Sequence, residues 1–323
     1  MFSLSELSIK LKTEKSVALF CHVRPDGDTL GSALAFSLCL NNLGIKAEVF
    51  CDDPVPSRFL FLNSANTVKS QLDGEYGAFL AIDCADITRL GSFAEAFMAH
   101  KNTYSIDHHI SNTRYAKVNY VVDNASNSEN ILALIKEMGA EVTPEMANLL
   151  AMGIMTDTGN FKHKNVTAST LVCAGLLVEK GADLNTIHYN MFAKQSKARA
   201  KLFGLIMSKI RYFLDDKLAI ATIMQKDIEL AGAKQDETEG FIDFLMGIDT
   251  VEVGICILEV GQNKFKISFR SKGTDVNAVA GTFGGGGHVL ASGCQISGEY
   301  EEVVDYAIGL GIENGFIQEG ETA

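Results

Sequence analysis

The chain has 323 residues, 47% of them hydrophobic and 21% charged, with a formal net charge of −12. That length suits two domains that each bury a core, and the negative balance argues against a protein that coats long nucleic acid through a basic face. It leaves room for a small anionic substrate in a pocket with positive charge of its own. Residues 1–15 are polar and mixed in charge, without the apolar core or cleavage pattern of a secretion leader. No apolar run approaches the roughly 18 residues that span a bilayer, so the expectation is a cytoplasmic protein with no membrane partner. The seven cysteines form no CxxC pair, which supports neither a zinc ribbon nor a disulfide scaffold. Most sit in apolar runs and read as reduced core residues.

From residue 17 onward, short apolar runs alternate with helical patterns, the signature of a mostly parallel sheet flanked by helices. "VALFC" (17–21) reads as a strand. The stretch 29–44 reads as a helix with Leu30, Leu34 and Leu38 on one face and Gly44 as its stop. "KAEVF" (46–50), "AFLAID" (78–83), "TYSID" (103–107) and "KVNYVV" (117–122) supply four more strands, two of which end at Asp83 and Asp107. Helical patterns follow over 128–139, over 143–159 with Pro144 at its start, and over 168–181. The polar, helix-prone stretch 189–208 is expected to link a first domain (1–188) to a second (209–323). In that second domain "YFLDDKLAIATI" reads as a hairpin turning at Asp215-Asp216, and "VEVGICILEV" with "KFKISFR" as a second pair joined at 261–263. A Gly-rich loop and a final helix, "EEVVDYAIGLG", complete a smaller α/β domain with a mixed sheet.

In open α/β sheets, ligands gather beyond the carboxyl ends of the strands. Four segments bring ionisable residues there: His22 with Asp26 and Asp28; Asp83; Asp107 with His108 and His109; and Asp157. Each has a plain structural alternative. Asp26-Gly27-Asp28 could be a turn with a helix N-cap, Asp83 a loop cap, the histidines a satisfied loop pair and Asp157 a turn residue. Taken together, four gathered carboxylates would repel one another unless protonated or neutralised. Two divalent cations would neutralise them, and oxygen and imidazole donors without thiolate suit Mn²⁺ or Mg²⁺ better than structural zinc. Such a pair can activate water and stabilise the leaving oxygen of a phosphoryl group.

"HVRPDGDTLGS" (22–32), "LAIDCAD" (80–86), "SIDHHISN" (105–112) and "MGIMTDTGNF" (152–161) resemble, in order, the four motifs of the DHH phosphoesterase superfamily. "FRSKGTDVNAVAGTFGGGGHVLASG" (269–293) resembles the Gly-Gly-Gly-His signature of the DHH-associated type 1 domain, with Val289 where that pattern has proline. The resemblance spans nearly the whole chain. It points to the compact members that trim short oligoribonucleotides (nanoRNA) to mononucleotides and dephosphorylate pAp to AMP.

The resemblance implies two divalent cations, Mn²⁺ first, with Mg²⁺ or Co²⁺ as alternatives. His22, Asp26 and Asp83 would hold one and Asp28, Asp83, His108 and Asp157 the other, with Asp83 bridging and a water between them as nucleophile. His109 would contact phosphate or donate a proton, and Asp107 would orient a histidine. Arg270, Ser271, Asn277 and the loop Gly285, Gly286, Gly287 and His288 look like a site for the substrate's far phosphate or nucleotide. Glycines allow close backbone approach to an anion and arginine offers a phosphate fork. Alone, however, the glycine run reads as a turn and Arg270 as a solvated charge. Substrates would be short RNA and nucleoside bisphosphates gripped by their ends, not long polymers tracked along a groove. Linear or cyclic dinucleotides (pApA, c-di-AMP) stand as alternative substrates. Retention of all six ligands argues against a non-enzymatic nucleotide-binding module. An apolar helix face would serve a homodimer.

Overall fold

Parallel strands buried on both faces need nearly continuous apolar sequence, and the first half of the chain supplies it. In the computed structural model, which describes residues 3–313, β1 (Ser16–Phe20), β2 (Lys46–Phe50), β3 (Ala78–Ile82), β4 (Thr103–Asp107) and β5 (Val118–Val121) form one sheet in the order β2-β1-β3-β4-β5. Every pairing in it is parallel. Alternate residues serve opposite faces. Val17 and Leu19 join the core built with α1 (Leu4–Thr13), α2 (Gly27–Asn42), α4 (Asn127–Glu137) and α5 (Pro144–Asp157). Ala18 and Phe20 join Phe50, Phe79, Phe93 and Phe97 on the other face, beside α3 (Ala94–Ala99). The unit is completed by α6 (Ala168–Glu179) and α7 (Leu184–His188).

The helix α1 lies in the stretch described above only as polar. A capping box between Ser3 and Glu6 starts it, and Leu7 and Leu11, one turn apart, are fully buried. The expected starts and stops shift by a residue or two where a side chain intervenes. α2 begins at Gly27 because the Asp26 carboxylate caps it, and β3 stops at Ile82 because Asp83 turns into left-handed backbone.

Two compact units, Met1–Lys194 and Gln195–Ala323, divide the chain. The second holds α8 (Lys197–Met207), β6 (Arg211–Phe213), β7 (Leu218–Ile223), α9 (Gln225–Ala231), α10 (Phe241–Met246), β8 (Val253–Gly261), β9 (Lys264–Ser271), α11 (Val276–Thr282), β10 (Gly286–His288), β11 (Ala291–Ser297) and α12 (Tyr300–Glu313). Its six strands run β10-β11-β9-β8-β7-β6, antiparallel except for β7 with β8, so the sheet is mixed. One face packs Phe265, Ile267 and Phe269 against α11 and α12; on the other, Ala219, Ala221 and Cys256 pack under α8, α9 and α10. Within the expected linker 189–208, α8 buries Leu202 and Ile206 in that second core. Its polar composition conceals an i,i+4 apolar pair, and the division between units falls ahead of it. Among the described residues no helix is long and apolar enough to cross a membrane.

Candidate functional site

The first-unit residues singled out from the sequence meet beyond the carboxyl ends of β1, β3 and β4. His22 is 2% exposed, and its Nδ1 lies 2.8 Å from the Val23 carbonyl. A carbonyl only accepts, so Nδ1 carries a proton and Nε2 is turned toward Asp26 Oδ2 at 3.4 Å and Asp83 Oδ2 at 3.6 Å. His108 repeats the device. Its Nδ1 is 3.0 Å from the Asn124 carbonyl, which turns Nε2 toward Asp83 at 3.3 Å, Asp157 at 3.4 Å and Asp28 at 3.9 Å.

The aspartates are fixed as firmly. Asp26 accepts from the amides of Asp28 and Thr29 through Oδ1, capping α2, and leaves Oδ2 to face His22. Cap and charge cluster therefore use different oxygens of one side chain. Asp28 is fully buried and accepts from the Asn127 amide at 2.5 Å, the Ser128 amide at 2.9 Å and the Ser128 hydroxyl at 2.6 Å, so it also anchors the N-terminus of α4. On α5 only glycine leaves room for this: a Cβ at Gly153 would stand 2.0 Å from Ser128 Oγ and 2.6 Å from Asp28 Oδ1. Asp83 adopts φ 60°, a conformation costly for a residue with a side chain and typical of functional sites. Asp107 is fully buried and accepts from the His108 amide, His109 Nδ1 (both 2.8 Å) and Asn112 Nδ2 (2.6 Å). It holds His109 with Nε2 free on a side chain that is 42% exposed.

Burial pulls the His22 imidazole down, but the Asp26 and Asp83 carboxylates outweigh it and hold it up at about 10. His108 is raised likewise, by Asp83 and Asp28 against its burial. Burial, then neighbouring carboxylates, push Asp28 and Asp157 well up. Burial opposes ionisation of Asp26 and Asp107 too, but their histidine partners win and hold both below the usual carboxylate range. His109 is raised chiefly by its bond to Asp107.

Potential donor atoms fall into three overlapping groups, each within 4.8 Å: His22, Asp26 and Asp83; Asp28, His108 and Asp157; and Asp83, Asp107, His108 and His109. The fit to divalent cations rests on two atoms. Asp83 Oδ1 and His108 Nε2 are buried, have no hydrogen-bond partner among the described residues, and stand 3.3 Å apart. Buried polar atoms are almost always satisfied; a cation satisfies a carboxylate oxygen and an imidazole lone pair together, and the set of hard oxygen and nitrogen donors suits one.

The supporting shell was not foreseen. Asn130 donates to the carbonyls of Asp107 and Val122, both at 3.2 Å, and accepts from Asn124. The only sequence signal was the polar run 123–130, of which 126–130 is buried. After β2, Asp53 accepts from the amide of Arg24, a residue at φ 54°, and Asp52 accepts from the Ser92 amide and hydroxyl. The Val23 amide donates to the Arg89 carbonyl, so the loops after β1 and β3 are braced to each other and to β2.

In the second unit, Arg270 of β9 is in register with Ala291 of β11, which is in register with His288 of β10, so the three share one face. Arg270 Nη1 donates to the Phe269 carbonyl, and its Nε lies 3.8 Å from Asp243. Asn277, on α11, brings its Oδ1 beside Gly286. Two corrections of emphasis follow. Ser271 is buried and donates its hydroxyl to the Thr274 carbonyl, leaving it only as an acceptor. A Cβ at Gly285 would stand 2.3 Å from the Gly293 carbonyl, so that glycine is required by the seating of β10 on β11.

Residues 16–154 match the profile of the DHH family, N-terminal domain, and residues 215–309 that of the DHHA1 domain. A Thermus thermophilus protein named bifunctional oligoribonuclease and PAP phosphatase NrnA is 30% identical over 302 residues, covering 90% of this chain and 89% of that one. The Bacillus subtilis protein of the same name is 28% identical over 298 residues, covering 90% and 93%. The crystal structure of an exopolyphosphatase-related protein from Bacteroides fragilis shares the fold with a TM-score of 0.84, over 98% of this chain and 97% of that one, at 23% identity.

Proposed function

Because the chain belongs to the DHH family and carries a DHHA1 domain, we propose that it is a metal-dependent phosphohydrolase that degrades short oligoribonucleotides to mononucleotides and dephosphorylates pAp to AMP. The observation that carries this is the pair of buried, unpartnered donors, Asp83 Oδ1 and His108 Nε2, ringed by His22 and three further aspartates. His22, Asp26 and Asp83 would hold one divalent cation and Asp28, Asp83, His108 and Asp157 the other, Mn²⁺ being the first choice for these donors. When bound, the cations supply charge that polarises a phosphoryl group and acidifies water.

The chain's own residues do the rest. Val23 and Asn124 hold the imidazoles of His22 and His108 in the tautomer that presents Nε2. Asp107 aims His109 and favours its protonated form, so that Nε2 can give a proton to the leaving oxygen. In the second unit, the guanidinium N–H groups of Arg270 left free by Phe269 bind a remote phosphate of the substrate.

The test is a Mn²⁺ assay on pAp, di- to pentaribonucleotides, a long RNA, pApA, c-di-AMP and pyrophosphate. Hydrolysis of pAp and the short RNAs, with the long RNA poorly used, is expected. Turnover of c-di-AMP alone, or of nothing, overturns the assignment.

A further inference from the structure

One face of the second unit's sheet carries charge that the site above leaves unused. The strand β9, "KFKISFR" and Ser271, alternates: Phe265, Ile267 and Phe269 enter the core beneath α11 and α12, and Lys264, Lys266, Ser268 and Arg270 take the opposite face. The neighbouring strand β11 sets Ser297, Gln295, Gly293 and Ala291 beside these four in turn. On the other side, β8 sets Leu258, Cys256 and Gly254 beside Lys266, Ser268 and Arg270. None of these neighbours is acidic. Glu259 is in register with Phe265 and so belongs to the other face, which leaves Glu239 and Asp243, on the wall leading into α10, as the acids bordering the row. That wall and the row enclose an open cavity of about 260 Å³. The Lys266 ammonium and the Ser268 hydroxyl have no hydrogen-bond or ion-pair partner among the described residues. In a chain of net charge −12, a strand face with three cations and no acid on its flanking positions offers an anion a local positive surface.

We propose that Lys266, Ser268 and Lys264 form a track for the backbone of an oligoribonucleotide beyond the nucleotide held at Arg270. Ser268 donates to the next phosphate, Lys266 pairs with the one after it and Lys264 with the one after that. Alternate residues of a strand stand about 6.7 Å apart, roughly twice the ~3.4 Å rise per nucleotide of a stacked strand. The row therefore fits a single strand pulled out of its stack, lying on a floor of glycine, alanine and cysteine, as single-strand binders hold it. This rests on the function proposed above and adds to it a means of sensing length: pAp uses none of the track and a pentanucleotide uses all of it.

The experiment compares pAp with a pentaribonucleotide on the full chain in Mn²⁺. Lys266→Gln is expected to raise KM for the pentanucleotide about fivefold and to leave KM for pAp within about twofold, and Lys266→Arg to restore it. The double variant Lys264→Gln/Lys266→Gln should lower the salt dependence of log KM for the pentanucleotide by about 1.4, two contacts at ~0.7 each. An unchanged pentanucleotide KM, or an equal rise for pAp, overturns the track. Fluorescence anisotropy of a labelled pentanucleotide in EDTA reads binding without turnover. A wild-type chain that binds but hydrolyses no oligonucleotide overturns the function proposed above; the track is upheld if Lys266→Gln weakens that binding. Equal binding by both proteins, or by neither, overturns the track.

Discussion

The charged groups of the two units are built in opposite ways. In the first, Asp28 and Asp107 are fully buried and Asp83 is 2% exposed, and the carboxylates of Asp28 and Asp107 are held by hydrogen bonds: Ser128 and the start of α4 for Asp28, Asn112 and His109 for Asp107. In the second, Lys266 stands in solvent with no partner among the described residues. Burial strengthens a field by removing water from it, but a buried charge without support is ruinous, so Asp28 and Asp107 come with a scaffold and Asp83 faces three imidazoles. An exposed cation needs no scaffold and interacts weakly, which suits a substrate that must shift along the protein and leave. Chemistry demands the first construction, and grip is satisfied by the second.

Substitutions can break that contrast. The largest loss is expected for Asp83→Asn, which keeps the shape and removes the charge common to two of the three donor groups. Mn²⁺-dependent turnover should fall by more than about 100-fold with the circular dichroism of the fold intact, and unchanged turnover would refute the shared role. Asp107→Asn, at the residue that orients His109, should cost about 10- to 100-fold in kcat. It also removes the carboxylate that raises His109. A proton donor stops working as pH climbs through its pKa, so the alkaline limb of the rate profile should move to lower pH; a limb that stays put contradicts the donor role.

The third effect is on stability. Asp28, Asp157, His22 and His108 all bind their protons more tightly folded than unfolded. Their contribution is complete below the unfolded values, ~3.9 for Asp and ~6.5 for His, and is lost as pH rises through the raised folded ones. Metal-free protein should therefore melt at falling temperatures on the alkaline side. Mn²⁺ displaces those protons, so its increment in Tm should be larger at about pH 8.5 than at about pH 6.5. Equal increments would mean that these groups do not bind the metal. On the exposed side of the contrast, Lys266→Gln should leave Tm unmoved while raising the KM for the pentanucleotide and not for pAp.

The same contrast governs what could be read from the sequence. The central strands were legible because parallel strands must be apolar throughout, and His22, Asp83, His108 and Asp157 because they are ionisable residues at the ends of such strands or in the loops and helices beside them. Asn112, Asn124 and Asn130 were not legible. A polar run such as 123–130 looks like solvated loop, and only the packing of α4 against α2 and α5 buries it. The Gly-rich loop concealed two strands, because β10 and β11 meet through glycines that have no strand propensity. Nor did composition reveal α1 or α8, each held by two apolar residues a turn apart.

The double engagement of Asp28 bears on how relatives of this chain should be sorted. A side chain that anchors α4 with its buried carboxylate is retained by the need to fold, whether or not any reaction remains. Asp26, as the cap of α2, is retained for a similar reason. A descendant that had abandoned hydrolysis and kept only nucleotide binding would still display "DGD" between its first strand and helix. The residues whose loss would betray it are Asp157 and His108, whose side chains face the cluster and hold up little else.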